Sequence, residues 1–223
     1  MRIVEGFLSI QGEGRSIGQR AFFIRLAGCN LFCNFCDSEY ASRTVLTDGD
    51  SNFDFRDIPK DCKLIVITGG EPTLYRITDL KDILKSKGRV FEVESNATIF
   101  PKYVDEFNWN LSPKLSSSGN EDKKRLQCMA HWSKYARKKT RKNKVIFKFV
   151  MSRSPVECTN DAAEIEDIVK KFKIPRELVY LMPEGKTKED MSHIGWLADY
   201  VIKQGYNFSP RLHVMLWGNK RGV

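Results

Sequence analysis

Along the chain, short segments rich in apolar residues alternate with longer segments that have helical spacing. The short segments cover residues 3–10, 21–26, 64–67, 90–94, 109–111, 145–151 and 178–181, and 64–67 is continuously apolar. Short apolar runs that end at glycine, proline, asparagine or serine are typical of strands, and the most apolar of them indicate strands buried on both faces. The sequence therefore predicts a strand in each run.

The segments between these runs carry the helical pattern. Helices are predicted at residues 74–84, 101–107, 161–172 and about 188–203, with a closing run at 211–217. A further helix is expected within a basic segment, where Leu126, Met129 and Trp132 would face inward. Gly88 is predicted to end the first helix, and Asn160 to cap the helix that starts at Asp161.

Strands that alternate with helices in this way predict right-handed crossovers and a parallel sheet. About six such units are present, too few for a closed barrel of eight strands. We therefore predict an α/β fold, a partial (β/α)6 TIM-like barrel. At 223 residues the chain suits one domain, 1–223, with a basic insertion at about residues 116–144.

Five polar or glycine-containing motifs each follow a predicted strand directly. They cover residues 28–38, 68–72, 94–97, 112–114 and 182–185. In barrel-like sheets the chemistry collects at the carboxyl ends of the strands, so these motifs are expected to share one site.

The first motif contains three thiols, Cys29, Cys33 and Cys36, within GCNLFCNFCDSEY. Thiolates are soft ligands that suit zinc or iron–sulfur clusters, and both kinds of site usually have four protein ligands. The other cysteines, Cys62, Cys128 and Cys158, each stand alone. A cluster with one iron open to a small molecule explains three ligands best, and a zinc knuckle or a chance group of buried thiols is the alternative.

The formal net charge of +9 is concentrated in one segment. Residues 121–148 contain eleven Lys or Arg against two acids, which equals the excess of the whole chain. Such a segment indicates contact with nucleic acid or with an acidic electron donor, or it is simply a solvated helix face.

No apolar run reaches about 18 residues, and the first 14 residues lack the apolar core of a signal peptide. We therefore expect no membrane partner and a cytoplasmic location, where thiols stay reduced.

The cysteine loop with Phe35, together with TGGEP at residues 68–72, resembles the radical S-adenosylmethionine (SAM) superfamily. The string at residues 10–38, the SPK motif and the ending RLHVMLWGNKRGV are similar to the 7-carboxy-7-deazaguanine synthase family, although the similarity is thin across residues 116–144. The resemblance implies a radical SAM barrel that holds a 4Fe-4S cluster, SAM and Mg2+. It also implies conversion of 6-carboxy-5,6,7,8-tetrahydropterin to 7-carboxy-7-deazaguanine and ammonia, in queuosine-type 7-deazapurine biosynthesis.

The resemblance carries over to individual positions and implies their roles. The cluster ligands would be Cys29, Cys33 and Cys36, with Ser38 on magnesium. SAM would contact Phe35, Cys36, Asp37, Gly70, Ser112, Pro113, Lys114, Met182, Pro183, Glu184 and Gly185. The pterin would contact Ile10, Gln11, Gly12, Arg25 and Thr68. No protein residue is expected to act as a catalytic group itself, because SAM and the cluster carry the radical chemistry.

Other interpretations of these positions stay open. Arg25 could form a structural salt bridge, Ser38 could cap the following helix, and residues 112–114 could be an ordinary turn. Four positions depart from the family pattern: Ser38 and Ser95 each stand for Thr, Met182 for Gln and Ala97 for Gly. The family further implies a homodimer and an acidic flavodoxin- or ferredoxin-type donor. The alternative functions are another radical SAM enzyme, such as a glycyl-radical activase, and a non-catalytic regulator that acts through the basic segment.

Overall fold

Eight strands form one sheet whose spatial order follows the sequence. The computed structural model describes residues 1–44, 53–84, 88–138, 140 and 144–223. The strands are β1 Ile3–Ile10, β2 Arg20–Leu26, β3 Leu64–Gly69, β4 Val90–Ser95, β5 Asn108–Leu111, β6 Val145–Met151, β7 Val179–Pro183 and β8 Asn207–Phe208. Strand β1 is antiparallel to β2, and every later pair is parallel. The result is an open, barrel-like α/β sheet with β1 and β8 at its edges. The sequence predicted this fold class but not the short strand β8.

The helices of the described residues lie mainly in the crossovers between parallel strands. They are α1 Glu39–Ser42, α2 Thr78–Ile83, α3 Asp122–Arg125, α4 Met129–Ala136, α5 Pro155–Phe172, α6 Gly195–Gln204 and α7 Leu212–Trp217. None of them combines the length and the apolar character that crossing a bilayer requires.

Three predicted helices differ from the observed ones. Only a 3-10 turn, Val104–Glu106, forms within residues 101–107, because the whole crossover from β4 to β5 leaves little room for more. Helix α5 begins at Pro155 rather than after Asn160, since proline is well suited to the first helical position. The helix expected from residue 188 begins at Gly195. The Asp190 carboxylate accepts hydrogen bonds from the backbone N–H groups of Lys186 and Thr187 and holds that stretch in a turn.

The two faces of the sheet carry different side chains. Along β2, Phe22, Ile24 and Leu26 belong to the large apolar core under the helices, whereas Phe23 and Arg25 alternate with them and point to the inner face. A smaller cluster of Ala21, Phe23, Leu64 and Val66, with Phe7 against it, fills the inner face near the amino ends of β2 and β3. Nearer the carboxyl ends the inner face becomes polar, so the apolar part supports a site above it.

The turn between β1 and β2 enters the barrel from the amino ends of the strands. Gly14 has φ of +68°, and a Cβ there would lie 2.7 Å from Asn110 Nδ2 of β5. A Cβ on Gly12 would lie 2.2 Å from His213 Nδ1. The turn packs so closely against β5 and His213 that a side chain at Gly12 or Gly14 would clash, so both positions require glycine.

The segment predicted as a basic insertion supplies the crossover between β5 and β6. Met129, Trp132 and Tyr135 of α4 are buried in the main core, which confirms the inward face predicted for Met129 and Trp132. Residues 116–138 therefore form part of the helical layer, and the description of this segment as an insertion stays a prediction. Lys139 and residues 141–143, which carry part of the basic charge, lie outside the described residues.

Candidate functional site

A cleft of about 300 Å3 opens at the carboxyl ends of the parallel strands. It is lined by side chains from β2, β3, β4, β6 and β7 and by the loops that follow them. Of the residues assigned to binding from the sequence, all but Pro113 and Pro183 line it. Those two prolines are buried outside the cleft wall. The five sequence motifs therefore converge on one site.

The cysteine loop follows β2 and is closed by a hydrogen bond from Gly28 N to Ala41 O of 2.9 Å. Cys29, Cys33 and Cys36 all line the cleft. Cys29 Sγ accepts a hydrogen bond from Leu31 N at 3.4 Å. Burial raises the pKa of the Cys29 and Cys33 thiols, and the nearby Lys114 ammonium opposes that increase at both.

These thiols suit an iron–sulfur cluster better than a single metal ion. No three His, Cys, Asp or Glu side chains among the described residues converge on one ion, which is what a zinc site requires. A cluster needs separate thiolates around a shared space, since each one binds a different iron. Three soft ligands on one loop that faces a common cleft meet that requirement.

The glycines after β3 hold the cysteine loop by direct backbone contact. A Cβ on Gly70 would lie 1.8 Å from Gly28 O. Gly70 N donates to Leu26 O at 3.0 Å, and Glu71 N donates to Gly28 O at 2.8 Å. The resemblance to the family assigned Gly70 to SAM, and the structure shows that the approach of the cysteine loop already requires glycine at this position.

Glu71 is a fully buried carboxylate that the sequence analysis did not assign. It accepts hydrogen bonds from Thr73 N at 2.9 Å, Ser95 Oγ at 2.8 Å and Asn96 N at 2.6 Å. Burial raises its pKa, although these hydrogen bonds oppose the increase. Glu71 thus ties the turn after β3 to the turn after β4. The Asn96 amide then reaches toward Cys29 Sγ at 3.7 Å.

Arg25 forms the ion pair that was its structural alternative. Its Nε donates to Glu5 Oε1 at 2.7 Å, and Glu5 also accepts from Tyr40 Oη at 2.7 Å and Arg221 Nε at 2.9 Å. The Arg25 guanidinium lies between the rings of Phe7 and Tyr40, with its carbon 5.7 and 5.8 Å from their centres. Among the described residues, Glu5 engages Nε and neither terminal nitrogen has a hydrogen-bond partner, so both can take a further anion.

A chain of hydrogen bonds crosses the inner face beside Arg25. Thr68 Oγ1 donates to Glu94 Oε2 at 2.7 Å, and Gln11 Nε2 donates to Glu92 at 3.0 Å and to Glu94 at 3.1 Å. Gln11 Oε1 accepts from Glu13 N at 3.1 Å. Because these contacts engage the side chain of Gln11, its first role is to orient Glu94, whose carboxylate lines the cleft.

Arg211 joins three elements around the cleft, and the sequence analysis gave it no role. Its guanidinium is paired with Asp37 of the cysteine loop and donates to Gly185 O after β7. It also contacts Glu13 at 3.1 Å, and Glu13 is in turn paired with buried Lys148. Burial alone would raise the pKa of Asp37 and Glu13, but these cations outweigh that effect and lower both.

Ser38 occupies the N-cap position of α1, yet its side chain makes no capping hydrogen bond. Its backbone carbonyl accepts from Ala41 N and Ser42 N at 2.9 Å. The hydroxyl lies 4.0 Å from Cys36 Sγ and lines the cleft. The alternative that Ser38 serves only as a helix cap is therefore not what the structure shows.

The basic residues of segment 121–148 divide into separate environments. Arg125 is buried and donates to Lys114 O at 2.7 Å, which fixes the SPK turn, and Lys148 lies in the cleft. Arg137 donates to Phe172 O at 2.9 Å at the end of α5. That end, like Lys144 before β6, lies at the amino ends of the strands. The length of β6, about 20 Å, separates it from the cysteine loop.

Comparison with known proteins agrees with this geometry. No protein-family model matches the sequence. The 7-carboxy-7-deazaguanine synthase of Rhodopirellula baltica is 34% identical over 233 residues, covering 99% of this chain and 88% of the relative. The enzymes of the same name from Hyperthermus butylicus and Pyrobaculum aerophilum are 33% and 32% identical, covering 97% and 100% of this chain and 92% and 97% of their own. The chain belongs to the 7-carboxy-7-deazaguanine synthase family.

A solved structure shares the fold of this chain. The crystal structure of QueE from Escherichia coli superimposes with a TM-score of 0.65 at 19% identity, over 95% of this chain and 93% of that one. This similarity shows a shared fold from the first strand to the last segments.

One departure from the family pattern has a visible structural consequence. Ala97 has φ of +66° and is fully buried. That left-handed conformation favours glycine, the residue expected from the family at this position. Ala97 N donates to Ser95 Oγ at 3.1 Å, so the turn after β4 keeps its shape despite the extra methyl group.

Proposed function

We propose that the chain is a radical SAM lyase that converts 6-carboxy-5,6,7,8-tetrahydropterin to 7-carboxy-7-deazaguanine with loss of ammonia. The observation that carries the proposal is the shared cleft of the three cysteines and a polar set that suits a carboxylated heterocycle. This set consists of Arg25, Thr68 and Glu94. The membership of the family gives the reaction, and the geometry of the cleft is compatible with it.

Cys29, Cys33 and Cys36 would hold a 4Fe-4S cluster and leave one iron to the amino acid end of SAM. When bound, these groups supply a 5′-deoxyadenosyl radical. The residues of this chain orient and shield that chemistry, as expected for a cofactor-dependent enzyme. The turns held by Glu71 lie beside Cys29 and would place backbone groups near SAM, and Lys114 would add an ammonium on the same wall of the cleft.

The substrate carboxylate would bind Arg25. An arginine that is largely buried in an apolar strand is most stable when its nitrogens meet anions, and a guanidinium fork suits a carboxylate. Glu5 already neutralises one side, so the second anion arrives at the open terminal nitrogens. Thr68 and Glu94 offer a hydroxyl and a carboxylate to the ring on the same side of the cleft.

Ser38 would contribute an oxygen to Mg2+ near the substrate carboxylate. Magnesium prefers oxygen ligands, keeps several waters and uses few protein groups. The Ser38 hydroxyl fits because it lines the cleft without serving as a cap. Serine retains the ligating oxygen that the family's threonine provides at this position.

Each radical requires one electron from a reductant. We propose that this reductant is an acidic flavodoxin- or ferredoxin-type protein. Arg137 and Lys144 lie at the amino ends of the strands, away from the cysteine loop. We therefore expect the donor protein to dock near the cysteine loop instead. There, the Phe32 side chain is 64% exposed. The homodimer and the cytoplasmic location stay predictions from the family and the composition.

The test is anaerobic reconstitution with iron and sulfide, followed by incubation with SAM, dithionite, Mg2+ and the pterin. We expect about four irons per chain and equal amounts of 7-carboxy-7-deazaguanine and ammonia. Replacing Cys29, Cys33 and Cys36 together by alanine should abolish both iron binding and product.

The matched control removes the same number of thiols elsewhere, at Cys62, Cys128 and Cys158. Cys62 is buried and Cys128 and Cys158 are partly buried, away from the cleft. This variant should keep its iron and its activity. Iron loss in the control, or product from the variant without the loop cysteines, would contradict the proposal.

A further inference from the structure

A turn from outside the sequence motifs packs directly on the cysteine loop. It consists of Ser118, Gly119 and Asn120, between β5 and α3. Ser118 O accepts a hydrogen bond from Asn34 N at 3.1 Å. Gly119 has φ of +78°, and a Cβ there would lie 2.7 Å from Asn34 Nδ2. The absence of a side chain at Gly119 therefore lets this turn approach the loop closely.

The side chain of Asn120 contacts the cysteine loop with both ends of its amide. Its Oδ1 accepts a hydrogen bond from Phe32 N at 2.9 Å. Its Nδ2 lies 3.3 Å from Cys33 Sγ. The backbone N–H of Phe32 can only donate, so the amide oxygen has to face it. The amide nitrogen is thereby directed at the sulfur.

This is the shortest side-chain contact to a loop-cysteine sulfur among the described residues. Asn96 Nδ2 lies 3.7 Å from Cys29 Sγ, and the Ser42 and Ser38 hydroxyls lie 3.6 and 4.0 Å from Cys36 Sγ. The amide of Asn120 is also held by Ser118 Oγ, 3.1 Å from Nδ2. The donor is thus fixed in place before any cluster binds.

We propose that Asn120 is a positioning residue that tunes the cluster through Cys33. A hydrogen bond to a ligand sulfur draws negative charge away from it, and this favours the more negative, reduced state of the cluster. Asn120 therefore raises the reduction potential and makes the cluster easier to reduce by one electron. The inference rests on the proposed function. It concerns a segment where the similarity to the family is thin, so it does not follow from the family pattern.

The experiment compares reconstituted wild-type protein with Asn120→Leu and Asn120→Asp. Leucine has a similar size and removes the donor without adding charge. Aspartate keeps an acceptor for Phe32 N but turns the donor into a second oxygen. The midpoint potential is measured by a redox titration followed by electron paramagnetic resonance, and the bonds from iron to cysteine sulfur are measured by resonance Raman spectroscopy. We expect a more negative potential and a higher iron–sulfur stretching frequency in Asn120→Leu, and a larger shift of the potential in Asn120→Asp.

Asn34→Leu is the control. It removes a side-chain amide from the same loop, and among the described residues that amide makes no hydrogen bond to a loop-cysteine sulfur. It should titrate at the wild-type potential. The proposal is overturned if Asn120→Leu keeps its iron and titrates like wild type, or if Asn34→Leu shifts equally. Should Asn120→Leu lose iron, Asn120→Asp decides, because it retains the contact to Phe32. Iron loss there as well would make Asn120 a loop support only. A wild-type protein that binds the cluster but forms no product would refute the proposed function and leave this measurement intact.

Discussion

The role of a cleft residue can be predicted from the sequence where the residue belongs to a motif. It cannot be predicted where the role depends on a partner far away in the sequence. The cysteines and Arg25 stand out because their residue types are unusual at their positions. Arg211 gains its meaning from Asp37 and Glu13, which are 174 and 198 residues away in the sequence. Contacts over such separations depend on the completed fold, so no local pattern indicates them.

Arg25 provides the first test at this scale. Arg25→Ala should raise the KM for the pterin by about 10- to 100-fold, because a hydrogen bond to a charged group contributes about 1.5–3 kcal/mol. Iron content and SAM affinity should be unchanged. Arg20→Ala is the matched control, since Arg20 forms an exposed ion pair with Asp61 at 2.6 Å and lies outside the cleft lining. If Arg25→Ala lowers stability but leaves the KM unchanged, the role of Arg25 is limited to the structural salt bridge to Glu5.

Glu5 predicts how stability depends on acid pH. Burial raises its pKa, but hydrogen bonds from Tyr40, Arg25 and Arg221 outweigh this and hold the pKa below its ordinary value of 4.5. The stability that Glu5 contributes is therefore fully present above pH 4.5 and is lost as the pH falls through the lowered pKa. The free energy of unfolding of wild type minus that of Glu5→Gln should be constant near neutral pH and shrink below that value. A difference that is independent of pH would contradict the assignment.

At the scale of elements, strands were easier to predict than helices. The run at residues 64–67, within β3, is continuously apolar because both faces of the strand are buried there, and that pattern survives any tertiary arrangement. Helix starts depend on local competition instead, as the turn held by Asp190 shows. The inward path of the β1–β2 turn was not predictable either, since its glycines signal only a tight turn until Asn110 and His213 are seen beside them.

The contact between the turn after β3 and the cysteine loop gives a prediction for Gly70. A methyl group there would lie 1.8 Å from Gly28 O, a backbone atom that cannot turn away. Gly70→Ala should therefore lower the free energy of unfolding by at least about 2 kcal/mol and reduce the iron bound after reconstitution.

Gly195→Ala is its control, because nothing lies within 4 Å of a Cβ at that exposed helical position. Its stability should be equal or slightly higher, as alanine is the better helix former. Denaturant unfolding of both variants measures the difference. Equal stability of the two would show that the loop can move away from β3.

Over the whole molecule, charge was the property that the sequence described least well. The excess of positive residues is real, but folding distributes it between the cleft, the core, the surface of α3 that follows Asn120 and the far end of the sheet. A count along the sequence cannot separate Lys148, which meets Glu13, from Lys138, which is exposed. The expectation that the segment guides a donor to the cluster stays a prediction, since the exposed Lys123 and Lys124 follow the turn at Asn120 that contacts the cysteine loop.

Reversing the exposed charges at Lys134 and Lys138 tests this point. Arg137 is left unchanged because it binds the last carbonyls of α5. The double variant, Lys134→Glu with Lys138→Glu, should turn over at the wild-type rate with dithionite and with an acidic protein donor, even at low salt where screening is weak. A loss confined to the protein donor would restore the docking role of this segment.

The path of the β1–β2 turn also determines how molecules move through the enzyme. With Gly14 against Asn110, and Phe7 stacked on Phe23 at 5.2 Å between ring centres, the barrel has a solid floor. In the part of the chain that the structure describes, the cleft opens at the carboxyl ends of the strands. Under the proposed function, cofactor, substrate and product would share that mouth, so whichever of SAM and the pterin binds deeper would arrive first and leave last. The order of binding would then depend on the floor, which glycines form at the opposite end of the barrel from the cysteines.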